Sequence, residues 1–320
     1  MSDLAAIAGR FRLQGEIVAV EPIRRGLIND TYRVTTTREK AALQRINAKL
    51  FPRPEITVHN LRQVLPYVRR VVLPEPIPTR EGDLGYRGSG GFWRMLRWLE
   101  GKPVEEISRE RVAQLASGLG KLHRDLAALP PRALEIALPH FHELDRALAQ
   151  YERSGGGSAL PPSLARRIDR LKPPALELYE RLRRLPRRIT HGDPKLDNLL
   201  LLEEGAIGWL DLDTLQPGWL WVDVSDAIRS IFSRLGAVDE TLLGDFLASW
   251  LAETEEILTE AERRLLPQSL WLIPFELAVR FATDLLAGGQ VFKLTPEALA
   301  RRALQQIEIA EALRDGLPPF

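Results

Sequence analysis

The hydrophobic pattern of this chain changes period once, near Glu100-Gly101-Lys102-Pro103, and that change limits the fold more than any other feature. Before it, short runs are rich in β-branched and aromatic residues. Glu16 to Val20 reads as a strand, Arg25 to Asp30 as a turn, Thr31 to Thr37 as a second strand and Ala41 to Ile46 as a third. A helix is predicted from Pro54 to about Val64. Leu84 to Arg87 and Phe92 to Leu96 read as two further strands around the turn Gly88-Ser89-Gly90-Gly91. Beyond Pro103, Val112, Leu115, Ala116, Leu119 and Leu122 recur with helical spacing, behind Ser108 as N-cap. Further helices are predicted over 161–184, 240–258, 268–287 and 296–313. Ser154 to Ser158 reads as a loop, and a short β-rich island spans Ile189 to Leu212. The expected class is α+β, with a small antiparallel-sheet lobe over 1–98 and a larger, mainly helical lobe over 99–320. A cleft between two lobes is a common ligand site, but a layout alone names no chemistry.

Composition removes several classes of function. The 44 basic and 43 acidic residues nearly cancel, leaving a net charge of +1, so there is no basic excess to attract nucleic acid. The short arginine clusters at 69–70, 166–167, 183–184 and 187–188 are interspersed with Leu and Pro and read as solvated helix faces. With no cysteine in the chain, disulfides, thiolate catalysis and Cys-based zinc sites are excluded. Leu265 to Phe275 is apolar but far short of the roughly 20 residues a bilayer requires, and it contains Pro267 and Pro274. It reads as buried helix. Met1 to Arg10 carries Asp3 and lacks the apolar core of a signal peptide. A cytoplasmic protein without nucleic-acid or membrane partners is expected, as monomer or homodimer.

Chemistry concentrates in one segment. Ile189 to Leu202 places the polar run His191-Gly192-Asp193-Pro194-Lys195-Leu196-Asp197-Asn198 between apolar stretches, and Asp211-Leu212-Asp213-Thr214 follows. Each residue alone is an ordinary turn former. Together, an Asp, an Asn five residues on and a following Asp match the order of a kinase catalytic loop and its metal-binding Asp. Phosphoryl transfer asks the protein mainly for positioning and charge neutralisation. On that reading Asp193 accepts the proton of the attacking hydroxyl, Lys195 meets the γ-phosphate, and Asn198 and Asp211 supply hard oxygen ligands to Mg²⁺. A hairpin between the two apolar runs would bring Asn198 and Asp211 to one end. Asn29 and Asp30, in a hairpin that would lie over the phosphates, and Arg45, at the place of a strand cation, are candidates for nucleotide contact, with Glu55 as the nearest acidic partner for Arg45. His191 is read as orienting the loop, Trp219 and Trp221 as core packing, and Arg280 with Asp284, one helical turn apart, as contacting the acceptor or each other.

These residues resemble the aminoglycoside phosphotransferase and choline kinase superfamily, and more closely its N-acetylhexosamine 1-kinase-like branch. The matching pieces are Gly26 to Tyr32, Leu43 to Asn47, Pro139 to His142, His191 to Asn198, Asp211 to Thr214 with Pro217-Gly218, Asp226 to Ser230 as a helix start, and Phe281 to Asp284. The resemblance implies a protein-kinase-like two-lobed fold, ATP between the lobes with Mg²⁺, and transfer to a sugar hydroxyl, the anomeric one, with Asp213 supporting the site. Leu27, Gly192 and Pro194 depart from the branch. The alternatives are a kinase for choline, homoserine or an aminoglycoside, or a nucleotide-binding pseudokinase.

Overall fold

The computed structural model describes residues 3–23, 28–88 and 90–316. Arg25, Gly26 and Leu27 of the first turn and Ser89 of the second therefore lie outside the described residues. The N-terminal part holds α1 (Asp3–Ala8), β1 (Ile17–Ile23), β2 (Asp30–Thr36), β3 (Lys40–Ile46), α2 (Glu55–Val64), β4 (Tyr86–Gly88) and β5 (Gly91–Arg97). The strands form one antiparallel sheet in the order β1-β2-β3-β5-β4. Successive side chains alternate faces, so register decides which residues look into the molecule. Ala41, Leu43, Trp93 and Met95 point to an outer face, where Ile7 and Phe11 close a small core. Ile46 and Phe92 point to the inner face and pack with Ile56 and Val58 of α2. Gln44 stands opposite Arg94, and Arg45 opposite Trp93. Gln44 and Arg94 thus belong to the inner face, and Arg45 to the outer one.

The remainder contains β6 (Lys102–Pro103), α3 (Arg109–Leu126), α4 (Leu144–Arg153), α5 (Pro162–Leu182), β7 (Arg188–Thr190), β8 (Leu199–Leu201), β9 (Ile207–Trp209), β10 (Gln216–Gly218), α6 (Leu220–Leu235), α7 (Glu240–Thr254), α8 (Glu260–Ser269), α9 (Leu272–Leu286) and α10 (Pro296–Gly316). The strands make two small sheets, β6-β8-β9 and β10-β7, set among helices. Ser108 caps α3 by accepting the N–H of Arg111 at 3.2 Å, as its spacing predicts. The helix predicted over 268–287 is instead two helices parted at Leu270-Trp271. Pro274 falls in the first turn of α9, where a missing N–H costs nothing, and so marks a helix start rather than an interior. Asp226 to Ser230 is not a helix start but lies well inside α6, which begins at Leu220. Trp219 and Trp221 are buried, stacked 6.1 Å apart and set edge-on to Tyr179 in the core. Among the described residues no helix is long and apolar enough to cross a membrane.

Candidate active site

The loop after β7 is fixed from both sides. Asp223, in the first turn of α6 and fully buried, accepts the N–H groups of His191 and Gly192, each at 2.8 Å, and Nε2–H of His123 at 2.9 Å. Trp250 Nε1 donates to His123 Nδ1 at 3.1 Å, which leaves Nε2 to carry the proton toward Asp223. Burial opposes the charge on Asp223, but the His123 and Gly192 hydrogen bonds and the neighbouring imidazoles hold its carboxyl below the usual carboxylate range. On the other side His142 donates through Nε2 to the Gly192 carbonyl at 3.1 Å. Gly192 itself sits at φ +86°, and a Cβ there would stand 2.7 Å from the Thr214 carbonyl oxygen. A side chain at 192 would push away the segment carrying Asp211, which explains the glycine where the resemblance leads one to expect asparagine.

Asp193 follows immediately. His191 Nε2 donates to the Leu210 carbonyl at 3.1 Å, so its Nδ1 is free to accept the Asp193 N–H at 3.4 Å. Burial lowers the pKa of His191 despite the pull of Asp223 and Asp193, so the ring is a neutral brace. Lys195 Nζ bonds Asp193 Oδ2. Asn198 Nδ2 donates to the Asp193 carbonyl at 2.9 Å, which leaves Asn198 Oδ1 as its remaining acceptor. The β8–β9 hairpin then returns the chain, and Leu210 N–H donates to the Asn198 carbonyl at 2.8 Å, delivering Asp211 beside Asn198. Asp211 adopts a left-handed conformation, φ +57°, which Asp tolerates better than most residues. Its carboxyl is pushed up to about 7 by burial and then by Asp213 and Asp193, with Lys195 and Arg94 pulling the other way. Carboxylates held together with too little positive charge form a setting that a hard cation would relieve. Among the described residues no three His, Asp or Glu side chains converge to cage a metal by themselves. One carboxylate and one amide oxygen suit a cation that takes most of its ligands from phosphate and water.

The sheet contributes differently from the sequence-based expectation. Asn29 reaches the C-terminal part and donates to Asp213 Oδ2 at 2.5 Å, while its Oδ1 accepts the Asn47 N–H at 2.9 Å. Asp30 and Arg45 pair with each other across β2 and β3 on the outer face, both half exposed, with Arg45 set 5.7 Å over the Trp93 ring. The structure therefore brings Asn29 to the site but not Asp30 or Arg45. Strand alternation is the reason: residue 44, not 45, faces inward. Glu55 pairs with Arg87 at 2.7 Å rather than with Arg45. The inward cation is Arg94, only 1% exposed, which sequence reasoning overlooked. Its signal was present: a single Arg inside Phe92-Trp93-Arg94-Met95-Leu96, a run that otherwise reads as central strand.

Beyond Asp193 lie Asp226, Arg229, His142, Glu276 and Arg280. Asp226 Oδ1 pairs with Arg229 at 2.7 Å, while its Oδ2 is buried without a partner among the described residues. Burial raises the Asp226 pKa against the pull of Arg229. Arg280 lies against the rings of Phe141 and Phe292, at 5.6 and 5.8 Å. Asp284 does not pair with it. Both Asp284 oxygens accept backbone N–H groups, from Val291 and Phe292, and so tie down the chain after α9.

His142 donates at both nitrogens, to Gly192 and to Glu276 Oε2 at 3.0 Å, so the ring is an imidazolium. Burial works against that charge, but Glu276, by charge and hydrogen bond, and then Asp226 outweigh burial and Arg280 and raise its pKa. A raised folded pKa contributes stability that is complete below about 6.5 and is lost as pH rises through the folded value. The midpoint of thermal unfolding is therefore expected to fall on the alkaline side. Glu276→Gln should cost about 3–5 kcal/mol of stability near neutrality, by breaking a buried pair, and should move the alkaline fall to lower pH. Melting curves across pH 6–10 check this (about the range of the imidazole titration); parallel curves for the two proteins would refute it.

Residues 19–265 match the model of the phosphotransferase enzyme family, and the chain belongs to that family. It is a phosphotransferase with the kinase-like fold. Solved structures agree over nearly the whole length. A microcompartment-associated aminopropanol kinase matches at 18% identity with a TM-score of 0.71, covering 99% of each chain. An aminoglycoside phosphotransferase from Alicyclobacillus acidocaldarius matches at 14% identity with a TM-score of 0.68, covering 97% of this chain and 92% of that one. An amicoumacin kinase in complex with AMP-PNP and Ca²⁺ matches at 15% identity with a TM-score of 0.66, covering 100% and 95%.

Proposed function

We propose that this phosphotransferase moves the γ-phosphoryl group of ATP to the anomeric hydroxyl of an N-acetylhexosamine or related sugar. The carrying observation is the Asp193 carboxylate, held on a braced loop beside Lys195 and Asn198, with Asp211 delivered by the next hairpin. Asp193 accepts the hydroxyl proton as the acceptor oxygen bonds to the γ-phosphorus and the bond to the β–γ bridging oxygen breaks; ADP leaves. Lys195, released from Asp193 toward the phosphate, balances charge on the transferring group. Asn198 Oδ1 and the Asp211 carboxylate are the residues that would hold Mg²⁺, which when bound neutralises the phosphate oxygens.

Two observations favour a sugar over a cationic acceptor. The pieces that carry the resemblance to hexosamine 1-kinases are mutual contacts: Asn29 bonds Asp213, and Arg94 joins Asp213 to Gln44. Two of the carboxylates an amine acceptor would call on are fully engaged, Asp223 by the loop and Glu276 by His142, and Asp226 meets Arg229 through Oδ1. A coupled ADP-release assay over N-acetylhexosamines, neutral hexoses, choline, homoserine, aminopropanol and aminoglycosides tests this. Turnover is expected with a free reducing sugar and should vanish with its methyl glycoside. Turnover of the amines with none for any sugar would overturn the sugar reading.

A further inference from the structure

We infer that Arg94 is the residue that positions the nucleotide side of the cleft, acting through Asp213; this rests on the kinase reading above. Arg94 projects from β5 into the space between sheet and helices. Its Nε and Nη2 donate to Gln44 Oε1 at 2.9 and 2.7 Å, its Nη1 to Thr57 Oγ1 at 3.1 Å, and its Nη2 also to Asp213 Oδ1. One guanidinium thus joins β3, α2, β5 and the segment after β9. The second oxygen of Asp213 takes Asn29 of the hairpin, so both its oxygens are held by donors from the sheet part of the molecule. Asp213 is 2% exposed.

The consequence is geometric. Asp211 stands two residues before Asp213, in a tight turn, so the clamp that fixes Asp213 also fixes Asp211. The same clamp holds the entry to β2 through Asn29. Asp211 and the start of β2 are therefore spaced by one buried ion pair. The planar fork of arginine serves this function because it reaches three acceptors at once; a lysine ammonium on a flexible stem would not fix all three. Arg45, on the far face, has no part in it. Arg94 touches no reacting atom in this arrangement and is a positioning residue.

The test separates positioning from stability. Removing one member of a buried ion pair leaves an uncompensated charge, whereas replacing both with apolar residues of similar volume is often neutral for stability. The single variants Arg94→Met and Asp213→Leu are expected to melt well below the wild type, and the double variant to recover most of that loss. The double variant should nonetheless bind Mg²⁺ with AMP-PNP at least about tenfold more weakly in calorimetry, with a matching rise in KM for ATP, because charge-assisted bonds of this kind carry about that factor. Asn29→Ala leaves Arg94–Asp213 intact and should weaken AMP-PNP by a similar factor with little change in melting. Arg94→Lys should keep the charge and still lose affinity. Wild-type affinity in the double variant would show the pair to be structural only, and wild-type affinity in Asn29→Ala would show that Asp213 passes no constraint to the sheet; either result overturns the inference. A wild-type protein that binds no Mg²⁺ with AMP-PNP would instead sink the kinase reading, and this inference with it.

Discussion

Asp193→Asn is expected to lower kcat by about 10³-fold, within the 10²–10⁴ that a positioned general base contributes. The amide keeps the shape and can still accept from Lys195 and Asn198, but it cannot take the proton of the acceptor hydroxyl. Asp193 is only partly buried, and its backbone is held by groups the substitution does not touch: His191 Nδ1 at its N–H and Asn198 Nδ2 at its carbonyl. The melting midpoint should therefore stay close to that of the wild type, and KM for ATP should change little, because the lost interaction forms only in the transition state. Steady-state kinetics beside a thermal melt measure both quantities. A variant that turns over within about tenfold of the wild type would remove Asp193 from the role of base, since less than 10²-fold lies below the range for such groups.

How much of this was legible in the sequence depended on whether local pattern or tertiary placement set each feature. The strands of the sheet, the α2 and α3 helices and the hairpin between Asn198 and Asp211 follow from alternation, 3.6-residue spacing and turn residues, and the structure has them within a few residues. The loop from His191 to Asn198 is read from spacing because its chemistry is contiguous in the chain. The misses have a different origin. Arg45 stands in the sequence at the place of a strand cation, but a strand shows one parity of residues to the cleft, and only the packing of α1 against Trp93 and Leu43 tells which. Arg94 is overlooked because its partners come from β3, α2 and a segment more than a hundred residues on, none of which is near it in the chain. Asp223 carries no signal in the sequence that separates it from other helix carboxylates. In the fold it is fully buried and holds the loop from His191 to Asn198. No spacing rule exposes such a role, because the groups it binds are two backbone N–H donors and a histidine on another helix.

That placement gives Asp223→Asn a large expected effect on both stability and turnover. Oδ2 accepts from His191 N–H and His123 Nε2–H, and Oδ1 from Gly192 N–H. Asparagine has one oxygen and one NH₂, so whichever way it turns, a buried donor faces another donor. The loss of paired donors without solvent access should cost about 3 kcal/mol, more than a surface change and less than full removal of a buried charge with its partner left intact. For a protein of this size that corresponds to a fall in melting temperature of roughly 4–5 °C. The same change frees the peptide that sets Asp193, and a displacement on the order of 1 Å at the base costs about 10²-fold in rate, so kcat should drop alongside stability. His123→Phe makes the contrast: it removes a donor from Asp223 but leaves both loop N–H bonds, so melting should fall while kcat is nearly kept. The sign with pH follows from the lowered folded pKa: the contribution of Asp223 is complete above the ordinary carboxylate range and disappears as pH falls through its folded value, so wild type and Asp223→Asn should converge in acid. If Asp223→Asn melts and turns over like the wild type at neutral pH, the loop is held by something other than this carboxylate, and the account of how Asp193 is positioned fails with it.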